Sequence, residues 1–279
     1  MIRAGVVGSP AKHSLSPLIH TAWLKAARID GQYSLYDIEK DGFPAFLQQA
    51  LDEGLRGVNV TLPFKEQALN AADEASDVAH AAGAANLLLF EAGGRIHAGN
   101  TDGEGLLFAL ASQAPGTRVL ERPVTILGAG GAAKGAAAAL AGAGVRDIRI
   151  VNRTVQRAEQ LAVDLMMDFE ADVRACDFDE ALQDAGLLIN AATAGLGGKD
   201  DRGLDLSKAP DDMVVMDMVY SPLVTPLLAQ ARARSLPVVD GLEMLIGQAI
   251  PSFEAFFGQM PPRGVDVRAL ALAELGRRG

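Results

Sequence analysis

The segment Val124-Thr125-Ile126-Leu127-Gly128-Ala129-Gly130-Gly131-Ala132-Ala133-Lys134-Gly135 constrains the fold more than any other stretch of the chain. A continuous apolar run is what a central parallel strand, covered on both faces, requires. The small residues that follow, Gly128, Gly130 and Ala133, match the pattern G-x-G-x-x-A and open a helix. Gly128 is suited to the tight turn, Gly130 to close approach of a pyrophosphate, and Ala133 to close packing of helix on strand. The backbone of Ala129, Gly130, Gly131 and Ala132 then faces the anion at a helix N-terminus. An ordinary glycine-rich turn between strand and helix is the competing reading.

Around this unit the chain alternates short β-branched runs with helix-length stretches, and does so twice, the pattern of α/β folds with largely parallel sheets. In the first block the sequence predicts strands near Ala4–Val7, Tyr33–Ile38 and Gly57–Thr61, and helices near Pro17–Ala27 and Phe43–Glu53. A hairpin of Ala85–Phe90 and Arg95–Ala98 turns at Gly93-Gly94. In the second block, further strands are expected at Ile148–Val151, Leu187–Asn190, Val214–Met218 and Val238–Val239, spaced as in a doubly wound sheet. Two last helices, near Leu242–Phe257 and Val265–Leu275, have no strand to pair with. The expected division is therefore an N-terminal α/β substrate domain, residues 1–103, completed by the helices of 240–279. A Rossmann-like dinucleotide-binding domain occupies 104–239, and the helix from Leu242 crosses back to close a cleft between the two.

About twenty residues after the glycine turn, a site for NAD would carry an acidic residue for the ribose 2′-hydroxyl. This chain has Val151-Asn152-Arg153-Thr154, with Arg157 following. Arg153 and Arg157 offer planar donors to a 2′-phosphate and Thr154 a hydroxyl, with no carboxylate to repel the dianion. NADP is preferred on that ground. Asn152 and Thr154 also suit a helix cap with the arginines in solvent, a role compatible with phosphate binding.

Three segments of the first block are more polar than packing demands. Ser14-Leu15-Ser16-Pro17 reads as an N-cap followed by Pro at the first helical position, which sets two hydroxyls where a helix attracts anions. Ser16 acting as a cap alone is an equal reading. Gly57-Val58-Asn59-Val60-Thr61-Leu62-Pro63-Phe64-Lys65 runs out to a Pro-broken end that presents Thr61 and Lys65, while the third segment holds Asn86 and, after the hairpin, Asn100-Thr101-Asp102. Lys65 and Asp102 on separate loop ends are suited to an ion pair that donates a proton to a developing alkoxide. A plain surface pair has the same sequence signature.

Composition excludes several classes. Lys and Arg number 25 against 35 Asp and Glu, a formal charge of −10, which opposes nucleic acid as a partner. Cys176 is the only cysteine, so neither an internal disulfide nor a multi-cysteine metal cage is available, and it is expected to fill core space. His13, His20, His80 and His97 lack ligand spacing, so no metal is expected. The N-terminus reads as strand and turn, without an export signal. The apolar stretch from Gly135 to Val145 is far short of the roughly 20 residues that span a bilayer. A cytoplasmic location is the expectation.

Taken together, these segments resemble the shikimate dehydrogenase family nearly end to end. The resemblance rests on Ser14-Leu15-Ser16-Pro17, Gly57 to Lys65, Asn100-Thr101-Asp102, the turn Gly128 to Ala133, and Asn152-Arg153-Thr154. It extends to Asp217-Met218-Val219-Tyr220 and to Asp240-Gly241-Leu242 with Gln248. It implies reversible, NADP-dependent reduction of 3-dehydroshikimate to shikimate on the route to chorismate and the aromatic amino acids. By the same resemblance, Ser14 and Ser16 hold the substrate carboxylate, and Thr61, Asn86, Asp102, Tyr220 and Gln248 bind its hydroxyls or carboxylate. Lys65 and Asp102 are the catalytic pair, Met218 and Gly241 line the nicotinamide pocket, and Asp77 lies towards the cofactor. The expected partner is this small molecule, with the chain a monomer or homodimer and, from its charge and lack of a spanning stretch, no nucleic acid or membrane.

Three residues depart from the pattern: Leu87 and Ala192 stand where the family usually has Thr, and Glu243 where it mostly has Gly. Two other readings stay in view. One is a quinate-oxidising paralogue, which often uses NAD; the other is a catalytically silent nucleotide-binding regulator on the same fold.

Overall fold

The computed structural model describes residues 1–192 and 204–278. The chain forms two compact units, one built from Met1–Asp102 and the chain from Leu245 on, the other from Gly103–Met244.

In the first unit the order is β1 (Ile2–Gly8), α1 (Ser16–Ala27), β2 (Gly31–Asp37), α2 (Phe43–Asp52), β3 (Gly57–Val60), α3 (Lys65–Asn70), β4 (Glu74–Ala75), α4 (Asp77–Ala82), β5 (Leu87–Phe90) and β6 (Ile96–Gly99). The sheet runs β2-β1-β3-β5-β6-β4. The three strands on the β2 side are parallel, whereas β5 is antiparallel to both β3 and β6. The hairpin turns at Gly93 and Gly94, whose φ values of 87° and 84° suit glycine.

Packing of the α2 side is dominated by Phe43 and Phe64, stacked at 4.9 Å and almost fully buried with Leu47, Val58 and Leu88. Burial of each such ring contributes about 1.5–3 kcal/mol. Phe64 thereby anchors the chain one residue before Lys65.

Two expectations need correction here. Ser16 is the first helical residue of α1 rather than its cap, and the Ser14 hydroxyl accepts the Ser16 N–H at 3.3 Å. Lys65 and Asp102 do not lie on loop ends: they open α3 and the helix α5 (Asp102–Gln113). Neither helix is evident from the sequence. Gly103 and Gly105 lower the intrinsic helicity of α5, and burial of Leu106, Ala109 and Leu110 overrides that preference.

The second unit continues with β7 (Val124–Leu127), α6 (Gly131–Gly142), β8 (Asp147–Val151), α7 (Val155–Asp168), β9 (Asp172–Ala175), α8 (Phe178–Ala181), β10 (Leu187–Asn190), β11 (Val214–Asp217), α9 (Pro226–Ala233) and β12 (Val238–Asp240). Then come α10 (Gly241–Phe257), which runs from this unit into the first, and α11 (Val267–Arg278) in the first. The strand order is β12-β11-β10-β7-β8-β9, parallel throughout. This is the doubly wound order of dinucleotide-binding sheets, with its direction of growth reversing between β7 and β10. The edge strand β9 escapes sequence reading because only Val173 of it is fully buried. Cys176, just past β9, is only partly buried, which corrects its expected place in the core; burial and Glu180 raise its thiol to about 11.

At the β12–α10 junction Gly241 lies directly on the backbone of Met218. A Cβ there would stand 2.4 Å from the Met218 carbonyl oxygen and 2.6 Å from its carbon. Gly241→Ala is therefore expected to destabilise the protein by about 1–3 kcal/mol, read from urea unfolding; an unchanged midpoint would contradict this packing.

His20 of α1 is fully buried, with neither ring nitrogen hydrogen-bonded, and stacks flat on Tyr33 at 3.9 Å. Burial without a partner lowers its pKa from 6.5 to about 3. In the unfolded chain the ring charges near pH 6.5, so its contribution to stability is complete above that pH. It drains away as pH falls towards 3, by up to about 1.4 kcal/mol per pH unit. The expected outcome is that His20→Leu flattens the fall of melting temperature between pH 6.5 and 4; a slope equal to wild type would show that other groups set it.

Candidate active site

The register of the first sheet converges on Asn86. Val60 at the end of β3 donates its N–H to the Asn86 carbonyl at 2.8 Å, and Asn86 N–H bonds Gly99 O at 3.1 Å. One residue earlier, Ala85 N–H bonds the Lys65 carbonyl at 2.9 Å, tying the start of α3 to the start of β5. Asn100 completes the frame: it donates to Ala84 O at 2.8 Å and accepts the Asp102 N–H at 2.9 Å.

Within this frame Lys65 Nζ donates to Asp102 Oδ2 at 2.5 Å, the two side chains being 27% and 22% exposed. Such partial exposure leaves the ammonium reachable by a small molecule. Asn86 Nδ2 donates to Asp102 Oδ1 and to Thr101 Oγ1, each at 2.9 Å, so the other carboxylate oxygen is also held. Gln248 on α10 turns its Oε1 to the same amide at a long 3.5 Å and donates to Leu245 O at 2.8 Å. An ammonium on a partly buried carboxylate–amide frame is equipped to give up a proton and recover it.

Ser14 and Ser16 lie together at the start of α1, and the Ser16 hydroxyl is a partner of the Tyr33 phenol. Thr61, half-buried just past β3, donates its N–H to Val7 O at 2.9 Å. Sequence reasoning left Tyr33, Asn59, Thr101 and Ser252 outside the site, although all four are buried and hydrogen-bonded next to it. Ser252 carries no sequence signal, because a serine in an apolar helix reads as filler. Asp77 is the exposed first residue of α4, capped by Ser76 rather than joined to the Lys65 group.

In the second unit Gly128 turns the chain after β7 with φ 114°, and a Cβ there would press on Ala192 N at 3.2 Å. Among the described residues nothing stands within 4 Å of a Cβ placed on Gly130 or Gly131. That clearance in front of the α6 N-terminus fits a pyrophosphate, whose oxygens the first-turn N–H groups of Ala129 to Ala132 are suited to receive. Asn152 donates from its side chain to Thr154 O at 2.8 Å, which shapes the turn after β8 and leaves Arg153 and Arg157 exposed. Thr154 is the α7 cap position but makes no side-chain cap bond.

The loop after β11, with Met218 and Tyr220, hangs on Asp217. Its fully buried carboxylate accepts from Asn190 Nδ2 at 3.0 Å, Val219 N–H at 3.0 Å and the Thr225 hydroxyl at 2.7 Å. Glu243 is buried too and accepts from Ser112 at 2.8 Å, so its charge is engaged on α5 and not free in solvent. Leu87 lies buried against Gly99 on the neighbouring strand, and Ala192 N–H is taken by Asn190 Oδ1 at 3.1 Å. Among the described residues no group of three His, Cys, Asp or Glu side chains is placed to hold a metal, and no helix is long and apolar enough to cross a membrane.

Both units are similar to known proteins. The family model for the shikimate dehydrogenase substrate binding domain matches residues 6–88. The models for shikimate / quinate 5-dehydrogenase and the shikimate 5′-dehydrogenase C-terminal domain match 109–243 and 241–271. A relative named shikimate dehydrogenase (NADP(+)), from Caulobacter vibrioides, is 52% identical over 99% of this chain and 96% of its own. The solved shikimate 5-dehydrogenase of Thermus thermophilus, in complex with NADP(H) and shikimate, superposes with a TM-score of 0.85 at 36% identity, covering 100% of this chain and 99% of that one. The quinate dehydrogenase of Corynebacterium glutamicum in complex with NAD reaches 0.86 at 29% identity, covering 99% of each chain. With 52% identity over nearly its whole length and family matches in both units, the chain belongs to the shikimate dehydrogenase family.

Proposed function

We propose that this chain catalyses the reversible, NADP-dependent reduction of 3-dehydroshikimate to shikimate, a step towards chorismate and the aromatic amino acids. The observation that carries the reading is Lys65 Nζ at 2.5 Å from an Asp102 carboxylate whose other oxygen is held by Asn86. NADPH, when bound, supplies hydride to the C3 carbonyl carbon. Lys65 donates the proton that the resulting alkoxide needs, and in the reverse direction takes it back. Asp102 keeps the ammonium in place and, with Asn86, aligns the ring hydroxyls, so the reacting oxygen meets a donor that needs no reorganisation.

The remaining assignments follow the family pattern onto residues of suitable chemistry. Ser14 and Ser16 take the substrate carboxylate. Thr61, Tyr220 and Gln248 complete its contacts. Gly128 to Ala132 take the pyrophosphate; Asn152, Arg153, Thr154 and Arg157 take the adenosine ribose and its 2′-phosphate. Met218 and Gly241 flank the nicotinamide, and Asp77 lies on the cofactor side. The enzyme acts in the cytoplasm on this small molecule, as a monomer or homodimer, without nucleic acid or membrane; a formal charge of −10 supports the part of that reading that concerns nucleic acid.

A quinate-oxidising reading has one support, the likeness to an NAD-bound quinate dehydrogenase. It is opposed by Arg153 in the segment where NAD enzymes carry a carboxylate. Steady-state assays of shikimate and quinate with each cofactor decide it: the expected pair is shikimate with NADP, and preference for quinate with NAD would reverse the assignment. Arg153→Ala is expected to raise the KM for NADP by roughly tenfold or more and leave that for NAD almost unchanged, as loss of a charge-assisted bond would. In Lys65→Ala, turnover should fall by roughly a hundredfold or more while shikimate and NADP still bind by titration. Unchanged turnover would remove Lys65 from the mechanism.

A further inference from the structure

The polar groups behind the Lys65–Asp102 pair form one network. Asn59 Nδ2 faces the Asn86 carbonyl at 3.1 Å, an obligate acceptor, so the amide is oriented and its Oδ1 must accept. It accepts from the Tyr33 hydroxyl at 2.8 Å. The second Asn59 Nδ2 hydrogen goes to Ser252 Oγ at 2.8 Å. Ser252 spends its own single proton on the Gln248 carbonyl one turn back, at 3.0 Å. With that proton on the carbonyl, its oxygen is free to accept from the Thr101 hydroxyl, 3.3 Å away. The Thr101 oxygen in turn accepts from Asn86 Nδ2, whose other hydrogen lies on Asp102 Oδ1.

Ser252 thus receives two donors at once in a fully buried position on α10. The Thr101 hydroxyl stands 3.3 Å from both Ser252 Oγ and Asn86 Oδ1, and the Thr101 N–H also sits on Asn86 Oδ1 at 2.8 Å; without the Ser252 oxygen a buried Asn59 hydrogen loses its partner and the Thr101 hydroxyl is left with Asn86 Oδ1 alone. The balance on the Asn86 amide shifts towards its Oδ1, and the carboxylate its Nδ2 steers turns with it. We propose that Ser252 is a positioning residue for the Lys65–Asp102 pair, acting through Thr101 and Asn86. The inference rests on the catalytic assignment made above and extends it to a helix that touches neither of the reacting side chains through Ser252 itself.

Ser252→Ala tests it. The expected result is a fall in kcat of about tenfold, an unchanged KM for NADP, a native near-ultraviolet spectrum, and a displaced pH profile of kcat, since the proton donor is no longer held as before. In a Thr101→Val background the same substitution should add no further loss, because the connection is already cut. Unchanged kcat, or a loss that multiplies in full with that of Thr101→Val, would overturn the proposal. So would a parallel rise in the KM for NADP. Should Ser252→Ala not fold, Ser252→Cys, nearly isosteric but a poor acceptor, decides by the same comparison. A wild-type chain that fails to turn over shikimate sinks the functional reading instead. In that event the rate of Lys65 modification by an amine reagent reads positioning alone: faster in Ser252→Ala supports it, an equal rate overturns it.

Discussion

Asp102 has no idle oxygen. One is committed to Lys65 Nζ at 2.5 Å and the other to Asn86 Nδ2 at 2.9 Å, while its backbone N–H is taken by the Asn100 side chain. A carboxylate held on its other oxygen and tethered through its own backbone can fix an ammonium, and the proposed proton transfer depends on that fixed geometry far more than on the raw presence of a lysine. The first sheet explains why these residues meet. The β3–β5–β6 register sets the ends of three strands side by side, and the bonds at Ala84, Ala85 and Asn86 lock the starts of α3 and α5 to them.

The second unit solves a different problem. An anion as large as a pyrophosphate needs backbone donors, space, and no opposing carboxylate. In the proposed cofactor site, the reversal of strand order between β7 and β10 offers that space at the strand ends, the glycine turn lines it, and Asn190 with Asp217 braces the neighbouring loops. The buried Asp217 is tolerated because three donors satisfy it; an unsatisfied carboxylate at that depth would be expelled or neutralised.

Much of this was legible in the residues. The strand–glycine–helix segment announced a parallel sheet and a dinucleotide turn. The spacing of the β-branched runs announced five of the six strands of the second sheet, and the polar segments around Ser14, Lys65 and Asp102 stood out against their apolar neighbours. What was hidden had local signals that pointed elsewhere. The helix α5 carries two glycines near its start, β9 has a single fully buried residue, Ser16 is inside its helix although Ser-Pro reads as a cap, and Cys176 is not deep.

By itself, then, the sequence determined the two kinds of sheet, the order of their elements and the chemistry available to the site, because hydrophobic period, glycine placement and side-chain functional groups are local properties. Only the tertiary structure decided that Asn59, Thr101 and Ser252 stand behind the Lys65–Asp102 pair, that Gly241 must lack a side chain because Met218 O lies against it, and that His20 stays neutral in an aromatic enclosure. Those facts depend on which atoms meet across β3, the loop before α5 and α10, segments separated by up to 193 positions. No pattern along the chain encodes such meetings, because they are set by how buried donors find acceptors once the surfaces have packed.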